Sequence, residues 1–268
     1  MSYETIQLHI EDRIARITLN RPERLNALSA QLTQDLGDAV EEVASSSEDI
    51  RCLILTGAGR AFCAGGDTGG MAGANQQRED GRTAESIRRS FRGAQRAVLG
   101  LHRLEMPTIA MVNGDAVGAG FDLACVCDLR TMASTARFMV AYRRIGLIPG
   151  WGGAWLYPRR LGLTKAAELM FTGDFLSAAE AQQFGFISAV APVEELDAVT
   201  MELAGRIASG PPISLRLMKQ LLYKGMQMDL ETAMHMAATG SSITLTSEDH
   251  REGVMAMREK RPAMFVGR

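Results

Sequence analysis

A chain of 268 residues, 46% hydrophobic and 22% charged, has the make-up of an ordinary folded protein, large enough to bury a substantial core in one domain or in one domain with an appendage. Its formal net charge of −2 provides no field to draw it to nucleic acid or to an anionic membrane. Cys52, Cys63, Cys125 and Cys127 sit in apolar runs and read as small buried hydrophobes of a reducing compartment, while scattered histidines without an HExxH pattern point away from a metal site.

The first residues, Met1-Ser-Tyr-Glu, lack both a basic and an apolar leader region, and no apolar run reaches membrane-spanning length. The expectation is a cytoplasmic protein. Thr5 to Ile10 and Arg13 to Leu19 alternate apolar and polar residues and predict a hairpin. Ser29 is a candidate N-cap for a helix to about Ala44. Cys52 to Thr56 is a continuous apolar strand of the kind found in a sheet covered on both faces.

A glycine-rich turn follows from Gly57 to Asp67. Gly57-x-Gly59 after a strand invites a dinucleotide reading, but Phe62 stands where the third glycine belongs and no helix opens at once. The polar stretch from Thr68 to Thr83 reads as a mobile loop, a candidate lid. Ile87, Phe91, Ala94, Val98 and Leu101 then recur at helical spacing. The arginines around them (Arg88, Arg89, Arg92, Arg96, Arg103) read first as a solvated face and second as a lure for an anion.

Asn113 to Asp128 carries the chemistry. A buried strand, Thr108 to Val112, runs into Gly114, Gly118 and Gly120, and a buried helix starts at about Ala119. Backbone N–H groups at a helix start have no partner inside it and carry the positive end of its dipole, so a carbonyl that becomes an oxyanion is well placed there. Asp122 lies three residues on, on the same helix face. A carboxylate beside such donors suits proton transfer next to a carbonyl; the plainer reading is a tight turn and a dipole-favoured charge.

Leu129 to Met132 and Phe138 to Val140 read as short strands, and Tyr142 to Gly153 as a third glycine-rich turn. Trp151 and Trp155 are a helical turn apart, which fits core packing or a pocket wall. Thr164 and a Ser177-x-x-Glu180 capping box predict further helix starts. From Val193 onward the pattern is helical with a break at Pro211-Pro212. Eight of the sixteen methionines follow residue 210, many on helices apolar around most of their circumference, which suggests burial between subunits.

Taken together, Leu19 to Leu28, Ala61 to Asp67, Asn113 to Gly120, Cys127 to Leu129, Ile148 to Pro149-Gly150 with Gly152-Gly153, and Phe171 to Gly173 before Ala179-Glu-Ala181 resemble the enoyl-CoA hydratase/isomerase, or crotonase, superfamily in order and spacing. The resemblance implies an α/β fold, a spiral of β-β-α units over residues 1–195, and a C-terminal helical region, 196–268, that builds a trimer or a dimer of trimers. It implies an oxyanion hole for an acyl-CoA thioester made by the N–H groups of Gly66 and Ala119. Arg24, Ala27, Ala64 and Asp67 match the neighbourhood of the CoA moiety. Lys260 matches a basic residue near CoA phosphates, often supplied by a neighbouring subunit. Coenzyme A enters as part of the substrate, with no separate cofactor and no metal.

Two departures bear on the reaction. The two glutamates of typical hydratases fall on Asp122 and Tyr142, and a phenol with an ordinary pKa near 10 is a poor base at neutral pH. Trp151, beside Pro149-Gly150, suggests with Tyr142 and Trp155 a bulky or aromatic acyl group. The leading expectation is an enoyl-CoA hydratase, in which Asp122 handles the proton and Tyr142 orients water or substrate. The alternatives are a double-bond isomerase, an acyl-CoA hydrolase, and a non-catalytic acyl-CoA binding protein.

Overall fold

A computed structural model describes residues 3–46, 50–67 and 84–268. The expected lid at 68–83 lies outside the described residues. The predicted hairpin forms as β1 (Ile6–Glu11) and β2 (Ile14–Leu19), paired antiparallel. Ser29 caps α1 (Ala30–Ser45), its side chain accepting the Leu32 N–H, and the apolar stripe of Leu32, Leu36, Ala39, Val40 and Val43 faces the core.

From there the chain repeats one move. Each turn lays one strand in a large sheet and the next in a small one. β3 (Cys52–Gly57) is followed by β4 (Ala61–Cys63), then α2 (Ala84–Arg103). β5 (Thr108–Val112) is followed by β6 (Asp115–Val117), then α3 (Ala119–Val126). β7 (Leu129–Ala133) is followed by β8 (Arg137–Met139), a 3-10 turn at Ala141–Ile145, α4 (Gly153–Leu161) and α5 (Leu163–Thr172). β9 (Phe175–Ser177), α6 (Ala178–Gln183) and β10 (Ala189–Ala191) complete the sheets. The six-stranded sheet has the order β1-β2-β3-β5-β7-β10 and the four-stranded sheet β4-β6-β8-β9. Apart from the β1–β2 hairpin and the β8–β9 pair, neighbours run parallel, and β3 and β5 are buried at every residue, as their unbroken apolar runs predict.

α7 (Leu196–Ala208) packs on the large sheet against β3, β5 and β7. Beyond it lie α8 (Pro212–Gly225), α9 (Leu230–Thr246) and α10 (Glu248–Glu259). Two expectations need correcting and a third stands. Thr164 is not a cap, since Gly162 precedes α5 and no side chain caps it. Helix does not continue to the end: residues 261–268 leave α10 as irregular chain, fixed by Val266 and Gly267 N–H groups donating to Asp249 and by Arg51 donating to Phe265 O. The solvated reading of the α2 arginines holds where side chains are described, with Arg88 and Arg89 paired to Glu85 and Arg96 to Asp38 and Glu41.

Candidate active site

Two glycine-rich stretches meet at one place. β4 ends at Cys63 and the chain turns through Gly65, whose φ of +90° is open to glycine at little cost. Leu28 donates to Gly65 O at 2.7 Å and accepts from the Asp67 N–H at 3.3 Å, so it bridges the residues on either side of Gly66. In a parallel bridge of this kind the middle residue directs its own N–H away from the partner strand. Gly66 therefore presents its amide on the side opposite Leu28.

α3 begins beside this turn. Gly118, with φ of +54°, precedes Ala119, whose N–H is the first of the helix. The two segments are pressed together. A β-carbon on Gly120 would fall 2.2 Å from Cys63 O, and one on Gly65 would lie 3.5 Å from Ala119 N. Two amides presented from adjoining segments, one at the positive end of a helix, can hold an oxygen that gains negative charge.

Asp122 follows in the first turn of α3 with no exposed surface. Tyr142 Oη donates to Oδ2 at 2.6 Å, and Tyr157 Oη donates to Oδ1. The amides of Gly153 and Trp151, at the start of α4, face the same carboxylate. Burial pushes the Asp122 carboxyl up to about 6, with the two phenols and two amides pulling the other way. Burial, and then the neighbouring carboxylate, raise the Tyr142 phenol well above its ordinary value, and burial does the same for Tyr157. Tyr157 is fully buried and stacks on Phe121 at 4.9 Å, with Phe138 on the other side at 4.5 Å.

Asp122 and Tyr142, twenty residues apart, are thus in direct contact. Tyr157 went unnoticed in the sequence. Its signal was a tyrosine within a helix set against the core, where a buried hydroxyl requires a partner. Trp151 is partly buried and, with Phe91, Ala94, Ala30, Thr33 and Arg96, lines a cavity of about 370 Å³. Trp155 does not join it. That ring lies under Arg159 at 4.1 Å and edge-on to His102 at 5.6 Å.

Arg24 is exposed on a 3-10 turn, Ala27 is buried and Ala64 partly so. Arg21, singled out by no earlier argument, ties this neighbourhood together: its Nη1 donates to Ala27 O at 2.6 Å and to Asp67 Oδ2 at 3.1 Å. Lys260 stands exposed at the end of α10, which packs chiefly on α9.

A model of the family described as enoyl-CoA hydratase/isomerase matches residues 9–268. The chain is 35% identical to a crotonyl-CoA hydratase of Syntrophomonas wolfei over the full length of both proteins. It is 36% identical to a 1,2-epoxyphenylacetyl-CoA isomerase of Escherichia coli over 99% of each. Among solved structures, an enoyl-CoA hydratase from Bacillus anthracis superposes with a TM-score of 0.91 at 33% identity, covering 99% of this chain and all of the other.

Proposed function

Because the chain belongs to the enoyl-CoA hydratase/isomerase family, we propose how its site performs chemistry of that type. The chain is an acyl-CoA enzyme of the hydratase type. In our reading the thioester carbonyl oxygen lies between the N–H groups of Gly66 and Ala119, which stabilise it as negative charge builds during addition of water to a 2-enoyl-CoA, or its loss. The Asp122–Tyr142 pair moves the proton. Arg24, Ala27, Ala64 and Asp67 border the CoA moiety, Trp151 borders the acyl group, and Lys260 reaches the CoA phosphates of a neighbouring subunit. No cofactor besides the substrate's own CoA takes part.

The observation that carries this reading is the contact of Asp122 with Tyr142 one helical turn from the Ala119 amide. A second reading, double-bond isomerisation, is favoured by one specific feature: a single carboxylate where two would be needed to divide the handling of water and proton. A panel of enoyl-CoA esters followed by mass separates the outcomes. A gain of 18 Da, the mass of water, identifies hydration. A moved double bond at unchanged mass identifies isomerisation. Release of free CoA, or binding with no change, would sink both.

We further propose that the C-terminal helical region, 196–268, holds the chain in a trimer or a pair of trimers. Free, buried cysteines fit a reducing compartment, and among the described residues no helix is long and apolar enough to cross a membrane. We place the enzyme in the cytoplasm.

A further inference from the structure

The acyl-CoA reading leaves open how a carboxylate with no surface reaches its substrate, and the inference drawn next rests on that reading. Asp122 is 0% exposed, and each of its oxygens is held by a phenol. The start of α4 closes another side, so tightly that a β-carbon on Gly153 would fall 2.3 Å from Oδ1. Tyr157 is as fully buried as Asp122, and only Tyr142 keeps surface. The tip of the Tyr142 ring lies beside the oxyanion donors: its Cζ would be 4.0 Å from a β-carbon on Gly118, the residue before Ala119.

We propose that Tyr142 is the catalytic residue that meets the acyl chain and that Asp122 acts through it, the two forming a proton relay. As a C–H bond next to the conjugated thioester breaks, its proton passes to Tyr142 Oη while the phenolic proton passes to Asp122 Oδ2. The electron pair of that bond moves onto the thioester carbonyl as an enolate. The reverse passage returns a proton to carbon and leaves Asp122 ionised. No oxidant or further reactant is required. A neutral phenol is too weak a base for this step, and burial beside a carboxylate leaves almost no phenolate to do it alone. In the relay it never carries a free charge, because it accepts one proton only as it gives up another. The geometry at carbon is set by Tyr142 and the base strength by Asp122.

The test is exchange of the α-protons of butyryl-CoA in deuterated water, read by mass, with affinity for the same ester measured by calorimetry. Tyr142→Phe and Asp122→Asn each slow exchange by roughly 10²–10⁴, the range of a general acid–base group, while affinity stays within about threefold. The double variant is no slower than the slower single variant, because the two residues act as a unit. Replacing Tyr142 by 3-fluorotyrosine keeps the shape and changes the acidity, and the exchange rate follows. Exchange by Tyr142→Phe within about threefold of wild type, with Asp122→Asn inactive, would put Asp122 directly on the substrate and overturn the relay. An unchanged rate with fluorotyrosine would also overturn it. Wild-type enzyme that binds no CoA ester in the calorimeter would overturn the acyl-CoA reading itself, and the relay with it.

Discussion

At the scale of single residues, the site depends on how tightly Asp122 is held. Gly153 opens a helix, where alanine is ordinarily better than glycine by about 1 kcal/mol. Here the added β-carbon would lie 2.3 Å from Asp122 Oδ1 and 2.6 Å from Tyr157 Cζ. Gly153→Ala should therefore displace the carboxylate and cut turnover roughly a hundredfold, the lower end of a general acid–base contribution. A variant of normal turnover in steady-state kinetics would show that the carboxylate has room the structure does not indicate. The pH profile gives a second check. Catalysis needs Asp122 ionised, so with its carboxyl at about 6 the rate should fall as pH drops below that value. The titratable groups around it are Tyr142, Tyr157, Cys63 and Cys125, all pushed by burial toward their neutral forms, so none adds a competing charge near neutrality. The Tyr157 hydrogen bond favours the ionised carboxylate. Tyr157→Phe removes it, raises the Asp122 value and moves the acid limb to higher pH, with the plateau rate largely kept. A limb that stays in place would deny Tyr157 any part in setting the carboxylate.

At the scale of elements, one buried ion pair fastens α8 to the sheet. Lys219 Nζ lies 2.7 Å from Asp128 Oδ2, with side chains only 9% and 14% exposed, and also donates to Met106 O. Tyr223 Oη donates to Asp128 Oδ1 at 2.6 Å, and the Thr108 N–H to Oδ2 at 2.8 Å. Removing one partner of a buried pair leaves an uncompensated charge. Lys219→Met should cost about 3 kcal/mol, near the low end because Tyr223 and Thr108 still donate. Heat denaturation should show this as a fall in Tm of roughly 6–12 °C, and an unshifted Tm would mean that α8 is held by other contacts. None of this was legible beforehand, since Asp128 and Lys219 are ninety-one positions apart and neither belongs to a local pattern. What was legible had a period or a cap. Strands of five or six residues such as β3 and β5, the stripe of α1, Ser29 and the Ser177–Glu180 capping box all stand where they were expected. The small sheet was mostly missed, because β4, β6 and β9 have three residues each, too few for alternation to register. The candidate site divides the same way. Asp122 was found because glycine turn and helix start are adjacent in sequence, and Tyr142 because the third glycine turn carried the resemblance. Tyr157 and Arg21 act across the fold: Arg21 left no local trace, and Tyr157 only that of a tyrosine in a helix set against the core.

At the scale of the whole molecule, the C-terminal helices do not bury what they are made of. α8 and α9 each have a single buried residue, Pro212 and Gly240. Yet Met218, Leu222 and Met234 are about three-fifths exposed, and Leu230, Met257 and Met264 about three-quarters. So many large apolar side chains left exposed on one region mark an interaction site, and the economical partner is another copy of the chain. Sedimentation should find a trimer or hexamer at micromolar concentration, and a stable monomer would end the proposal. The assembly also bears on Lys260, which stands exposed at the end of α10. If it serves a neighbour, defects on different chains should complement. Lys260→Ala alone should raise KM for a CoA ester while sparing kcat, since it removes binding that is uniform between ground and transition states. Asp122→Asn alone should be nearly inactive. Mixed and refolded together, the two variants form hybrids in which an intact Asp122 site receives Lys260 from the Asp122→Asn neighbour. A fraction of sites with wild-type KM should then appear, growing with the share of Asp122→Asn chains. If every mixture keeps the raised KM of the Lys260 variant, Lys260 acts within its own subunit or not at all.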